Sequence, residues 1–300
     1  MPKILLLLLV ALFPFQQLFA NHEPWVKTIY PQDEDKTWWN DDWWENGKLV
    51  SPNNYDVVMD KIEYENGDTT VPAYVFRPRK PGKYLPVLFQ HGRRGLDDLT
   101  LLMPKRLAAR GFIVLAPDVF SARFIEKLPM DHDYDTETDV AKGIEVLLQR
   151  KDIIGDQACI VSHTRGGYTS LKALVTHRKQ EKEVACYVSS YPHWQDPNLA
   201  EPYQVYRYAT EINDLKVPVM VFLGGHDQYQ RIRPIMEGIN TLKEKKRNPI
   251  LIVYPGVGRG FDFRPPHVRT FADDLATKDA IQRTTKFIHK HLSISTQTPK

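Results

Sequence analysis

The stretch Ala158-Cys159-Ile160-Val161-Ser162-His163-Thr164-Arg165-Gly166-Gly167 decides the fold. Its first half is short, apolar and β-branched, the pattern of a strand buried on both faces. Its second half is polar, reaches two adjacent glycines, and gives way to helical apolar spacing over 166–177. A buried strand that turns sharply into a helix is half of a parallel βαβ unit. The alternation continues in both directions. Upstream, 86–90 and 112–116 read as strands, with helices over 99–110 and 136–150. Downstream, strands over 184–189, 217–223 and 249–254 alternate with helices over 230–245 and 278–292. Ahead of these, 57–65 and 70–76 read as an antiparallel hairpin joined across Asn66-Gly67-Asp68. The fold class is therefore α/β: a mostly parallel sheet, helices on both faces, and an antiparallel N-terminal hairpin. Such sheets bind ligands beyond the carboxyl ends of their strands. That directs attention to the residues after Gln90, Ser162, Leu223 and Tyr254.

Four motifs stand there. His91-Gly92-Arg93-Arg94-Gly95 comes first, then Ser162-His163-Thr164-Arg165-Gly166-Gly167. Gly224-Gly225-His226-Asp227 and Pro255-Gly256-Val257-Gly258-Arg259-Gly260-Phe261 follow. In this order, each after a strand, they resemble the α/β-hydrolase superfamily and, within it, the dienelactone hydrolase family, over roughly residues 55–292. The resemblance implies an α/β-hydrolase fold acting on small carboxylic esters or lactones. It places the nucleophile on Thr164, the acid on Asp227 and the family's histidine on Arg259. It makes Gly166 and Gly167 the elbow glycines, and draws the oxyanion donors from the Arg165 N–H and the Gly92–Arg93 stretch.

Two of these positions depart from the family pattern. The elbow holds its nucleophile at positive φ, where a β-branched threonine is strained by about 1–3 kcal/mol. A threonine hydroxyl attacks only with a base beside it. Arg259 is no such base, because a guanidinium stays protonated and accepts no hydrogen bond. Beside Asp227 a bidentate ion pair is expected instead. Among histidines, His91 belongs to the loop before the oxyanion hole and His163 points into packing. His267 stands on a loop free to approach as a substitute base, although a surface or structural role is the readier reading.

Arg93, Arg94, Arg165 and Arg259 all lie on loops at the same edge of the sheet. Converging, they suit a carboxylate ligand; otherwise each pairs with a neighbour such as Asp97, Asp118 or Asp227, or faces water. The excursion 190–215 holds Tyr191, Trp194, Tyr203, Tyr206 and Tyr208 and reads as a cap over the pocket. Two functions stay open: an ester or lactone hydrolase with Thr164 as nucleophile, or a non-catalytic protein binding a small anionic ligand or a partner through the old pocket. No dinucleotide cofactor is expected, because the first parallel turns lack Gly-x-Gly-x-x-Gly. No metal is expected, because no histidine pair has ligand spacing on one face.

The ends of the chain bear on compartment. Lys3, an apolar run over 4–15 and Ala20 give the order of a secretory signal peptide over 1–20, cleaved near Ala20. That run is shorter than the ~20 residues that span a bilayer, so no transmembrane anchor is expected after cleavage. The protein is therefore expected to be secreted or periplasmic. Residues 21–54 form an acidic arm with five of the chain's 6 tryptophans, expected to pack its indoles on the domain, with an aromatic surface for sugars or a partner as the other reading. The polar tail is expected over 293–300. The formal charge of +3, with both signs interspersed, gives no nucleic-acid-binding stripe. Cys159 and Cys186 each open a strand; they read as small core residues, with a disulfide open to them if the strands are neighbours.

Overall fold

A computed structural model describes residues 26–28, 41–49 and 54–297. The expected signal peptide lies outside these residues, as do Trp25, Trp38 and Trp39. The strands are β1 (Val26–Thr28), β2 (Val57–Asn66), β3 (Thr69–Pro78), β4 (Leu85–Gln90), β5 (Phe112–Pro117), β6 (Ala158–His163), β7 (Val184–Ser190), β8 (Val219–Gly224) and β9 (Ile250–Tyr254). The α-helices are α1 (Asp41–Asn46), α2 (Leu102–Ala109), α3 (Val119–Ala122), α4 (Asp135–Leu148), α5 (Gly166–Leu171), α6 (Tyr203–Tyr206), α7 (Tyr229–Glu244) and α8 (Phe271–Gln297).

One 9-stranded sheet takes the order β1-β9-β8-β7-β6-β4-β5-β3-β2. Only β2–β3 and β3–β5 pair antiparallel; the other pairs are parallel. The expected α/β-hydrolase fold is thus present. Strands β4, β5, β6 and β8 are buried at every position, as two-sided helical cover demands of runs rich in Val, Ile and Leu. At the far edge β2 carries Asp60, Lys61, Glu63 and Glu65, charges that suit an uncovered edge strand.

Most predicted elements recur within a residue or two, and the exceptions have local causes. The last helix begins at Phe271, well before 278, because Thr270 and Asp273 cap it reciprocally. The Asp273 carboxylate accepts from the Thr270 N–H and hydroxyl, and Thr270 Oγ1 accepts from the Asp273 N–H at 3.1 Å. The same helix runs to Gln297, so residues 293–297 continue α8 rather than opening a tail. The helix expected over 166–177 is α-helical to Leu171 and then widens into a π-helical turn, Lys172–Thr176. The short strand β1, unforeseen, pairs parallel with β9.

The cysteines are bridged rather than free. Cys159 on β6 stands opposite Cys186 on β7, with Cα atoms 4.7 Å apart and both residues fully buried. In the arm, Trp43 and Trp44 are buried, and the guanidinium of Arg106 on α2 lies 5.0 Å and 4.6 Å from their rings. Gly47 follows at φ 71°, where an added Cβ would stand 2.8 Å from the Arg106 Cα. The arm turns directly against the backbone of α2.

Candidate active site

Thr164 ends the run from β6 and stands at φ 48°, so the elbow is made with a β-branched residue in the left-handed region. The turn holds because its neighbours leave no room for another path. A Cβ on Gly166 would meet the carbonyl oxygen of His91 at 2.5 Å, and one on Gly167 would meet Pro192 at 2.7 Å. The Thr164 hydroxyl points at the oxyanion loop: a Cβ on Gly92 would stand 1.6 Å from Thr164 Oγ1. Among the described residues this hydroxyl has no hydrogen-bond partner, so no base is set against it.

Asp227 follows β8 and Arg259 follows β9. Their contact is a single ion pair, Arg259 Nη1 to Asp227 Oδ2 at 3.1 Å. The contact is not the expected bidentate one; Asp227 Oδ1 instead accepts from the Gln228 N–H at 2.7 Å. The Arg259 guanidinium also lies over the Tyr191 ring at 5.4 Å. Burial lowers the Arg259 pKa from its ordinary value, against the opposing pull of Asp227. The family's carboxylate thus has a cation against it, fixed from both sides.

The remaining predicted residues divide. Arg94 pairs with Asp97 and lies over the Phe263 ring, 5.8 Å from its centroid, while its Nε is buried without a hydrogen-bond partner among the described residues. Arg93 donates to the carbonyls of Pro129 and Leu128, and Arg165 to those of Pro129, Met130 and Asp131. Neither has a carboxylate among its hydrogen-bond acceptors. His91 is buried in its loop, and burial lowers its pKa. His267 is exposed on the turn Pro266–Val268, and no described contact joins it to Thr164, Asp227 or Arg259.

Sequence reading missed two residues. His193, just beyond β7, is buried, and its N–H donates to the Thr164 carbonyl at 2.7 Å. Its Nε2 meets Nη1 of Arg231 from the first turn of α7. Burial, then Arg231, Arg259 and Arg165, push the His193 imidazole far below its ordinary pKa. Arg165 is lowered to about 10 by burial, with Arg93 and Arg231 adding to the effect. Arg231, Arg259 and Arg165 thus act on the His193 imidazole, Arg93 acts on Arg165 and Arg231, and Arg259 is paired with Asp227. His193 stands on the carboxyl-end loop after β7, which carries none of the four motifs.

Behind the elbow runs a second network. His163 Nε2 lies 3.0 Å from Asp262 Oδ2, and the Tyr191 hydroxyl donates to Asp262 Oδ1. Arg106 donates to the Asp262 carbonyl at 2.5 Å and to the Trp44 carbonyl at 3.0 Å. Burial alone would raise the Asp262 carboxyl; His163, Tyr191 and Arg106 together hold it below the usual carboxylate range.

The dienelactone hydrolase family model matches residues 71–292. The chain belongs to the dienelactone hydrolase family. Among solved structures, this family member is similar to a dienelactone hydrolase-like promiscuous phosphotriesterase from metagenomic libraries. The TM-score is 0.59 at 16% identity, over 78% of this chain and 98% of the other. An esterase from Pyrobaculum calidifontis gives 0.57 at 16% identity, over 77% and 84%. At such identities the likeness is one of fold. A chlorophyllase type 0 from Chenopodium album is 30% identical over 128 residues, 38% of this chain. The match spans 36% of that relative's length.

Proposed function

We propose that this dienelactone hydrolase family protein is exported and acts on small carboxylic esters or lactones, with Thr164 as the attacking hydroxyl of a non-standard triad. The observation that carries this is Thr164 itself. It keeps a hydroxyl against the Gly92 loop at φ 48°, where a glycine would avoid strain of about 1–3 kcal/mol. The convergent arginines favour a substrate with a carboxylate, or with a carbonyl oxygen that gains negative charge during attack. Arg259 cannot take the hydroxyl proton, so turnover is expected to be slow. It should lie within the roughly 10³–10⁴-fold acceleration that an oxyanion hole and binding leave without a full triad. Export is supported by the charge, apolar run and small residue over 1–20. A buried disulfide between β6 and β7 supports it as well.

One observation favours a second reading. The Arg259–Asp227 pair fills the place where an imidazole and carboxylate would work. A non-catalytic protein that binds a small anion through the same arginines would keep just such a pair. A panel of activated short-chain esters and lactones separates the two. Measurable turnover that Thr164→Ala abolishes supports the hydrolase. An inactive natural protein whose Thr164→Ser/Arg259→His double variant turns over would overturn it and leave the binding reading.

A further inference from the structure

Beside the arginine cluster lies a half-open cavity of about 310 Å³. Phe120, Ile125, Pro129 and Met130 form its apolar walls and Arg165 one polar side. Asp131, His132 and Asp133 complete the lining, and both aspartates are exposed. Arg165 ties this wall to the elbow: it follows Thr164 directly, and its guanidinium holds three consecutive carbonyls of the lining, those of Pro129, Met130 and Asp131. Its Nε is buried without a hydrogen-bond partner.

The segment that forms the cavity is built against its own stability. Phe124 is 97% exposed, Met130 77% and Leu128 58%. Phe124 and Leu128 also hold φ at 54° and 62°. A bulky side chain is strained there, and an exposed one forgoes the gain of burial. Phe124 and Leu128 lie in this segment without lining the cavity themselves; the exposed Met130 does line it.

We infer that this cavity receives the hydrocarbon chain of an amphiphilic ester or carboxylate whose polar head lies at Thr164 and the arginines. The inference rests on the substrate reading proposed above and narrows it. The cavity's polarity fits that occupant. A wholly polar ligand would leave Phe120 and Ile125 facing nothing apolar, and a wholly apolar one would further desolvate Arg165 with no partner for Nε. At roughly 30 Å³ for a water-sized group, the volume takes a chain of about six to ten carbons.

Isothermal titration of the exported protein with butyrate, octanoate, butan-1-ol and octan-1-ol tests this. Each buried methylene is worth about fourfold in affinity. Octanoate is expected to bind at least about tenfold tighter than butyrate, and octan-1-ol tighter than butan-1-ol by a similar factor. Ile125→Trp and Met130→Trp, which fill the cavity from two walls, are expected to cut both ratios below about threefold and leave butyrate binding unchanged. Equal affinity for octanoate and butyrate in the natural protein would overturn the inference, as would a chain-length gain that survives both substitutions. A gain for octan-1-ol without any butyrate binding would support the chain pocket and remove the anionic substrate reading instead.

Discussion

Thr164, Asp227 and Arg259 were legible in the sequence because each falls in a motif that follows a strand. His193 and Arg231 were not. Tyr191-Pro192-His193-Trp194 matches no motif, and Arg231 is one basic residue in the first turn of α7. Only the path of the chain beyond β7 brings them together. His193 yields a pH prediction. Its folded pKa lies below the unfolded value of about 6.5, so the unfolded chain takes up the proton first as pH falls. Its contribution to stability is therefore complete above about pH 6.5 and lost below it, with a slope of up to about 1.4 kcal/mol per pH unit. His193→Gln removes this dependence. Urea denaturation between pH 7 and 5 should show the natural protein losing stability faster than the variant. Parallel curves would mean that His193 is protonated in the fold or open to water. His91, His289 and His291, whose pKa values burial also lowers, are common to both proteins and cancel in the difference.

Among the elements, the strands were the most legible, because fully buried parallel strands leave continuous apolar runs. Helix ends were less so: the capping of α8 rests on Thr270 and Asp273, ahead of any strong apolar spacing. The arm's composition predicts packing on the domain. What composition could not show is how Trp43 and Trp44 engage α2. They enclose Arg106, which reaches past them to the carbonyl of Asp262, whose carboxylate meets His163 beside the elbow. Arg106→Met keeps the apolar contact and deletes both carbonyl hydrogen bonds. A loss of about 2–4 kcal/mol is expected, since two buried acceptors are left without donors. Chemical denaturation reads the stability, and tryptophan fluorescence reads whether the indoles leave the core. A variant as stable as the natural protein would show that Arg106 only fills space.

At the scale of the molecule, the disulfide joins neighbouring central strands across a sequence separation of 27. A loop of that length stabilises by about 3–4 kcal/mol through restriction of the unfolded chain. Cys159→Ala/Cys186→Ala should lower stability by about that amount while the sheet persists, because both residues keep their ladder partners. Thermal unfolding of the double variant measures this, and an unchanged midpoint would show that the bridge adds little. Strand β1 has a different consequence, for the order of assembly. Among the described residues β1 is the first strand, and it completes the sheet only by lying along β9, the last one made. Pairing between opposite ends of a chain closes late and slowly. Until β9 has been made and β1 docks on it, the backbone edge of β9 stays open to strands of other molecules. The protein is therefore most prone to aggregate while it is being made, and this hazard passes once β1 lies along β9.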